Sequence, residues 1–162
     1  MKVKDVMMRT AASCNRETNL GAAVEILWER NCGVLPVVDG EQKVIGVITD
    51  RDICIALGTR NRLPGEITVG EVTSGRLFTC ASEDEIRAAM ATMAHAKVRR
   101  LPVVTADGKL EGILSMDDIV VRSESRSAKS PSELSHDEVS ETLKAVYRPE
   151  LPQVVQRTAA AA

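Results

Sequence analysis

Aromatic side chains are nearly absent from this sequence: Trp28, Phe78 and Tyr147 are the only ones, 2% of 162 residues. That excludes a stacking platform for single-stranded nucleic acid, which needs successive aromatic faces. An excess of either charge is missing too. Twenty-one basic residues against 23 acidic ones leave a formal net charge of −2, so no global field draws the chain to nucleic acid or to an anionic membrane. No run approaches the roughly 18 consecutive apolar residues of a membrane span, and the N-terminal "MKVKDVMMRTAASCNRETN" has no apolar signal core. The chain is therefore expected in the cytoplasm, with neither nucleic acid nor membrane as partner. The cysteines lack the paired spacing of a zinc site. Cys14, Cys32, Cys54 and Cys80 stand singly, and in a reducing compartment they read as small buried hydrophobes.

Catalytic constellations are missing as well. His95 and His136 are isolated, no Ser/His/Asp or Cys/His set can be assembled, and the adjacent carboxylates Asp117 and Asp118 point different ways as sequence neighbours. No catalytic residue, metal site or obligatory cofactor is assigned, and no enzyme is expected.

What the sequence has is repetition. Leu35 to Ile53 reads "LPVVDGEQKVIGVITDRDI", and Leu101 to Ile119 reads "LPVVTADGKLEGILSMDDI". The offset of 66 holds without a gap from Val3 to Ile53, carrying Val3 onto Val69, Cys14 onto Cys80, Gly46 onto Gly112 and Asp52 onto Asp118. Leu20, Ala23, Val24 and Leu27 in one copy, and Ile86, Ala89, Met90 and Met93 in the other, fall at i, i+3, i+4, i+7 and predict an amphipathic helix. Ser82 with Glu85 reads as a capping box starting the second of these helices; the first has Arg16 at the matching place and is expected to be capped by Thr18.

A short apolar strand follows each helix ("VLPVV", "LPVV"), then a turn at Asp39-Gly40 or Asp107-Gly108 and a second strand ("KVIGVI", "KLEGIL"). A short helix over Ile53 to Leu57 is expected to end at Gly58. Each unit thus reads helix, strand, strand, helix, an α/β (α+β) pattern. At about 50 residues such a unit is small for independent folding, so the two are expected to pack sheet against sheet about a pseudo-twofold axis and share one core. The expected division is residues 1–58, a linker 59–66 containing Pro64-Gly65, residues 67–122, and a tail 123–162. In the tail Ser123 to Ser130 reads as flexible linker. A helix over about 136–147 follows, capped by Ser135 and Glu138, with Val139, Leu143 and Val146 on one stripe.

The tandem "LPVVD…GVITDRDI" and "LPVV…GILSMDDI" blocks, each preceded by an amphipathic helix and a leader ("VKDVM", "VGEVT"), resemble a pair of cystathionine-β-synthase (CBS) domains, the arrangement called a Bateman module. The resemblance covers residues 1 to about 122. It implies two βαββα units with their sheets packed together, often a disk-like homodimer of modules, and a regulatory role: adenosine-containing ligands bind in clefts between the units and modulate something else. No effector domain is read in this sequence.

Thr49-Asp50-Arg51-Asp52 and Ser115-Met116-Asp117-Asp118 sit where a strand meets a helix. One reading is a capping box, hydroxyl to the third residue on. The other uses the spare N–H groups and positive dipole end of the helix to hold an anion. The resemblance assigns Asp52 and Asp118 to a ribose diol, and Thr49 and Ser115 to a phosphate or ribose oxygen. Both readings stay open, and they are compatible. Lys97, Arg99 and Arg100 enter the second "LPVV", where the first copy has Asn31, Gly33 and Val34. Such a basic cluster is either a solvated strand edge or a phosphate grip, the placement the family resemblance implies. Arg51 stands where the second copy has Asp117, so like-charge repulsion favours the Thr49/Asp52 cleft for a charged nucleotide. Val34, Leu35 and Pro36, with Ala12 or Phe78, are the candidates for an apolar adenine slot. Cys14 and Cys80, at equivalent places, invite either a metal or disulfide across the axis or plain burial in strands.

The function expected from these readings is a regulatory sensor that binds AMP, ADP, ATP, NAD or S-adenosylmethionine between the repeats and modulates an unidentified protein. Two alternatives stand beside it. One is a constitutive dimerisation or interaction module whose C-terminal helix carries the partner contact; the other is a cysteine-based redox or metal sensor.

Overall fold

The structure, a computed structural model, describes residues 1–73, 76–123 and 134–148. Its elements run α1 (Leu20–Glu29), β1 (Val34–Val38), β2 (Val44–Thr49), α2 (Asp50–Arg60), α3 (Val69–Val72), α4 (Ile86–Ala96), β3 (Arg100–Val104), β4 (Leu110–Ser115), α5 (Met116–Arg122) and α6 (His136–Tyr147). The expected linker beyond Ser123 lies outside the described residues. Among those described, no helix is long and apolar enough to cross a membrane.

β1 pairs antiparallel with β2 and β3 with β4, in the same register: Pro36 faces Val47 and Pro102 faces Ile113, and a bulge falls after Val37 and after Val103. A parallel bridge adds Cys14 beside Val37 and Cys80 beside Val103. Pro36 and Pro102 accept from the Cys14 and Cys80 amides; with no N–H of their own, they let this pairing stop after one bridge. The two hairpins meet at their tips, where Val44 N–H donates to the Gly108 carbonyl and Leu110 N–H to the Gln42 carbonyl, at 3.0 and 3.1 Å. The turns differ from the expected Asp-Gly dipeptides. The left-handed residue is Gln42 in one (φ 65°) and Gly108 in the other (φ 84°), and these two are equivalent by the repeat. Only the second turn has glycine where the backbone requires it.

The expected single core is two. One apolar cluster contains Leu20, Leu27, Leu35, Ile48 and Ile53, the other Ile86, Met93, Leu101, Leu114 and Ile119. The leaders bind them together by exchange. Val3 and Lys4 donate to the Asp84 and Ser82 carbonyls, Met8 and Ile113 exchange a pair of backbone bonds at 2.9 Å, and Val3, Val6 and Met7 bury themselves in the second cluster. In return the second leader serves the first half: Val69 donates to Thr18, Gly70 to Arg16, Leu20 donates to Ile67, and Ile67 and Val69 join the first cluster. The crossing explains Gly112, since a Cβ there would collide with the Met8 carbonyl oxygen.

The exchange also corrects two helix starts. Ser82 to Glu85 is used to dock the first leader, so α4 begins only at Ile86, with Glu85 as N-cap and no side-chain cap. α1 is capped by Asn19, whose Oδ1 accepts from Ala22 N–H at 2.9 Å; Thr18 instead closes a turn with Asn15. α2 runs past Gly58, which has open space around it, and stops where Asn61 turns left-handed at φ 49°.

α6 packs its stripe on α4 and α5. Val139 and Val146 are buried, Leu143 lies against the second cluster, and Arg87 on α4 holds Glu138 through Nε to Oε1 at 2.7 Å. Ser135 and Glu138 form the capping box at its start. The equivalent face of the first half is open. On α1 and α2, Trp28 is 86% exposed, Ile55 52% and Val24 43%.

Candidate functional site

Each half ends its second strand with a hydroxyl residue whose backbone is still extended: Thr49 (φ −116°, ψ 161°) and Ser115 (φ −117°, ψ 156°). Extended geometry at this position is what an N-cap needs. Thr49 Oγ1 accepts from Asp52 N–H at 3.2 Å and donates to Asp52 Oδ2 at 2.7 Å, while Thr49 N–H donates to the same carboxylate at 3.0 Å. Ser115 and Asp118 repeat these bonds at 3.2, 2.5 and 3.1 Å. Both boxes are closed, so each carboxylate is already an acceptor for its own cap.

Among the described residues, cavities lie on either side of the seam between the halves. The first, of about 550 Å³, brings Thr49, Asp50 and Arg51 of the first repeat to Lys97, Val98, Arg99 and Arg100 of the second, over strand residues Val34, Val47, Pro102 and Ile113. Its remaining wall is the end of α6: Val146, Tyr147 and Arg148. The second, of about 410 Å³, sets Ser115, Asp117 and Asp118 opposite Asn31 and Cys32, with Arg30, Arg100 and leader residues Met8 and Thr10 to Ala12 completing it. Both volumes fall in the range of ligand pockets, roughly 300–1,000 Å³.

The two differ in charge. Among the described residues, the first cavity carries Arg51, Lys97, Arg99, Arg100 and Arg148 against Asp50; the second carries Arg30 and Arg100 against Asp117 and Asp118. Arg100 spans both, its Nη2 standing 3.5 Å from Asp117 Oδ2. Lys97 closes α4 in a left-handed conformation (φ 56°), as its counterpart Asn31 closes α1 (φ 47°). Asparagine adopts that conformation readily, whereas lysine holds it at a cost. In this position Lys97 Nζ donates to the Arg148 carbonyl at 3.2 Å. Arg99 Nη1 donates to the Tyr147 hydroxyl at 3.1 Å, with the guanidinium 5.8 Å from the ring centre, and that bond raises the guanidinium above its ordinary range.

The structure thus gathers Thr49, Arg51, Lys97, Arg99, Arg100 and Val34 at one cavity, and Ser115 and Asp118, again with Val34 and Arg100, at the other. It separates the rest. Asp52 stays in its capping box and is absent from the first wall. Leu35 is fully buried in the first apolar cluster, because the alternation along β1 turns it inward. Pro36 is buried and lines neither cavity; its repeat partner Pro102 does. Ala12 lines the second cavity, and Phe78 lines neither. Pro102 is a lining residue that the repeat carries over from Pro36; Val47, Val98 and Ile113 match no site residue singled out from the sequence, and no period relates Tyr147 and Arg148 to the site.

Cys14 and Cys80 belong to different apolar clusters, so they do not meet across the axis. Burial pushes their thiols up to about 11 and about 12, the latter helped by Asp84, which leaves little thiolate for redox or metal chemistry. Among the described residues, no group of three His, Cys, Asp or Glu is placed to hold a metal ion. His95 is exposed, and His136 is exposed with Nε2 3.2 Å from the Ser123 carbonyl.

The profile of the CBS domain matches residues 3–59 and 69–124, and the chain belongs to that family. It is 31% identical over 140 residues to the CBS domain-containing protein YhcV of Bacillus subtilis (strain 168), covering 85% of this chain and 97% of that one. Two other curated relatives are longer, and the chain spans only 52% and 23% of their lengths. Among solved structures, it is similar to the CBS domain pair of protein MJ0100 in complex with 5′-methylthioadenosine and S-adenosyl-L-methionine (TM-score 0.68, 25% identity, 75% of this chain and 94% of that one). It is also similar to CBSX2 in complex with AMP (TM-score 0.65, 28% identity, 74% and 93%).

Proposed function

We propose that the first cavity binds a phosphorylated adenosine ligand and that the chain is a sensor whose occupancy modulates a partner protein. The observation that carries this reading is the convergence of Arg51 from one repeat with Lys97, Arg99 and Arg100 from the other on one nucleotide-sized cavity. Cations aimed into a partly enclosed space form charge-assisted bonds to phosphate, about twice as strong as neutral ones. The apolar strand residues beneath offer a surface for a base. That MJ0100 and CBSX2 were solved with adenosine compounds supports the choice of ligand class. The second cavity, with its two carboxylates, suits an uncharged or cationic adenosine compound.

The test is the unfolding midpoint of the protein with AMP, ADP, ATP, NAD and S-adenosylmethionine, beside an Arg51→Asp variant. A ligand at about 100 times its Kd adds about 2.7 kcal/mol, several degrees for a chain of this size. A shift with a phosphorylated ligand, lost in the variant, is the expected result. No shift with any of the five at millimolar concentration contradicts it.

The open α1/α2 face supports a second part of the proposal, pairing with another copy of the chain. Its groove, lined by Val24, Leu27, Trp28, Ile53 and Leu57, has a volume of about 920 Å³. Its counterpart in the second half is covered by the apolar stripe of α6, which supports a helix face as its occupant. Sedimentation of the wild type as a dimer and of Trp28→Ser as a monomer is expected; two monomers would refute it.

A further inference from the structure

The end of α6 lies outside the matched CBS domains, yet it forms one wall of the cationic cavity. Among the described residues, cations that face the cavity hold it: Arg99 donates to the Tyr147 hydroxyl, and Lys97 donates to the Arg148 carbonyl. Both acceptors are neutral, and Tyr147 is 59% exposed, so these bonds are weak competitors for a phosphate dianion. One residue earlier, Val146 is buried against the second apolar cluster. That burial anchors α6 up to Val146, and Tyr147 and Arg148 beyond it are held by the cations.

We propose that this last turn is exchanged for a bound phosphate. A phosphorylated adenosine ligand takes Arg99 and Lys97, the Tyr147 hydroxyl and Arg148 carbonyl lose their donors, and the turn is released; an adenosine without phosphate binds and leaves the turn in place. Tyr147 is then a specificity-determining residue, because the contact it makes must be broken by phosphorylated ligands alone. The release makes the C-terminal extension the element that reports which ligand is bound. This inference rests on the nucleotide reading above and adds the coupling to α6.

Tyr147 is the only tyrosine, so 3-fluorotyrosine incorporation gives one fluorine resonance at the contact itself. The unliganded Arg99→Ala variant supplies the reference position for a phenol without its donor. Titration with AMP is expected to move the wild-type resonance toward that position, with the midpoint that calorimetry gives for binding. Adenosine is expected to bind by calorimetry and leave the resonance in place. Tyr147→Phe, which removes the acceptor and keeps the ring, is expected to bind AMP about 2–5-fold more tightly and adenosine unchanged. AMP binding with a stationary resonance and unchanged Tyr147→Phe affinity overturns the exchange and leaves the nucleotide reading standing. Movement with adenosine equal to that with AMP also overturns it. If neither compound binds, the nucleotide reading fails and the exchange fails with it.

Discussion

The two clefts are drawn from one template and differ in charge, the first strongly cationic and the second balanced. Thr49 and Ser115 cap their helices with the same bonds to Asp52 and Asp118, within 0.2 Å of each other. Around these fixed boxes, Arg51 stands against Asp117, Lys97 against Asn31 and Arg100 against Val34. A duplicated scaffold keeps the residues that make the backbone turn and varies those that meet the solvent in the cleft. Its lesson is that the capping box holds the shape of the site, while substitutions beside it decide what the site accepts. The halves diverge on their outer faces as well. α6 covers the helices of the second and adds a wall to the cationic cleft, whereas the outer face of the first half's helices leaves Trp28, Ile55 and Val24 exposed.

The largest effect is expected where the halves depend on one another. Ile67 is fully buried in the first half although it leads directly into the second repeat, so Ile67→Ala is expected to cost about 2–5 kcal/mol. Hydrogen exchange should show the loss in α1 and β1 before α4; loss in α4 first would contradict the exchanged leaders. Next in size is the charge contrast. Arg51→Asp, which writes the second cleft's Asp117 into the first, is expected to weaken AMP binding about 10-fold or more, read by calorimetry. Because Arg51 is exposed, unfolding without ligand should be unchanged. The paired capping variants Thr49→Ala and Ser115→Ala should each cost about 1 kcal/mol, and a large disparity between them would show that the boxes are not equivalent.

Acid gives the smallest and most local contrast. Glu83 is lowered to about 2 by Lys2 and Lys4, and Glu138 to about 2 by Arg87 and the Ser135 amide. The first ties the exchanged leader to the second half, and the second ties α6 to α4. Both carboxyls titrate below their ordinary 4.5 when folded. Their stabilisation is therefore complete above that pH and is lost as pH falls toward 2. Glu138→Gln should remove the α6 part of this acid dependence at a cost of about 0.2–1 kcal/mol at neutral pH, the range of an exposed pair. An unchanged acid profile would contradict the assignment.

Much of this was legible in the repeat. The in-register text gives both hairpins and both boxes, because strand alternation and an N-cap are local and each copy states them independently. Helix ends were less legible. Gly58 looks like a stop, yet with nothing crowding it the helix continues until Asn61 takes the left-handed conformation. The leader exchange could not be read at all, since Val3 and Val69 carry the same side chain and either would suit either half. Their place in the motif points Leu35 and Pro36 to the adenine slot, but strand alternation sends Leu35 to the core. Tyr147 and Arg148 were invisible as cleft residues for a different reason: the docking of α6 on α4 and α5 is long-range packing, and no periodicity connects it to the repeat.

The most direct test is the stoichiometry of AMP binding, measured calorimetrically on wild type, Arg51→Asp and Asp117→Ala. The charge contrast predicts one phosphorylated ligand per chain, lost in the first variant and retained in the second. Binding that survives Arg51→Asp, or two equal sites per chain, would contradict it.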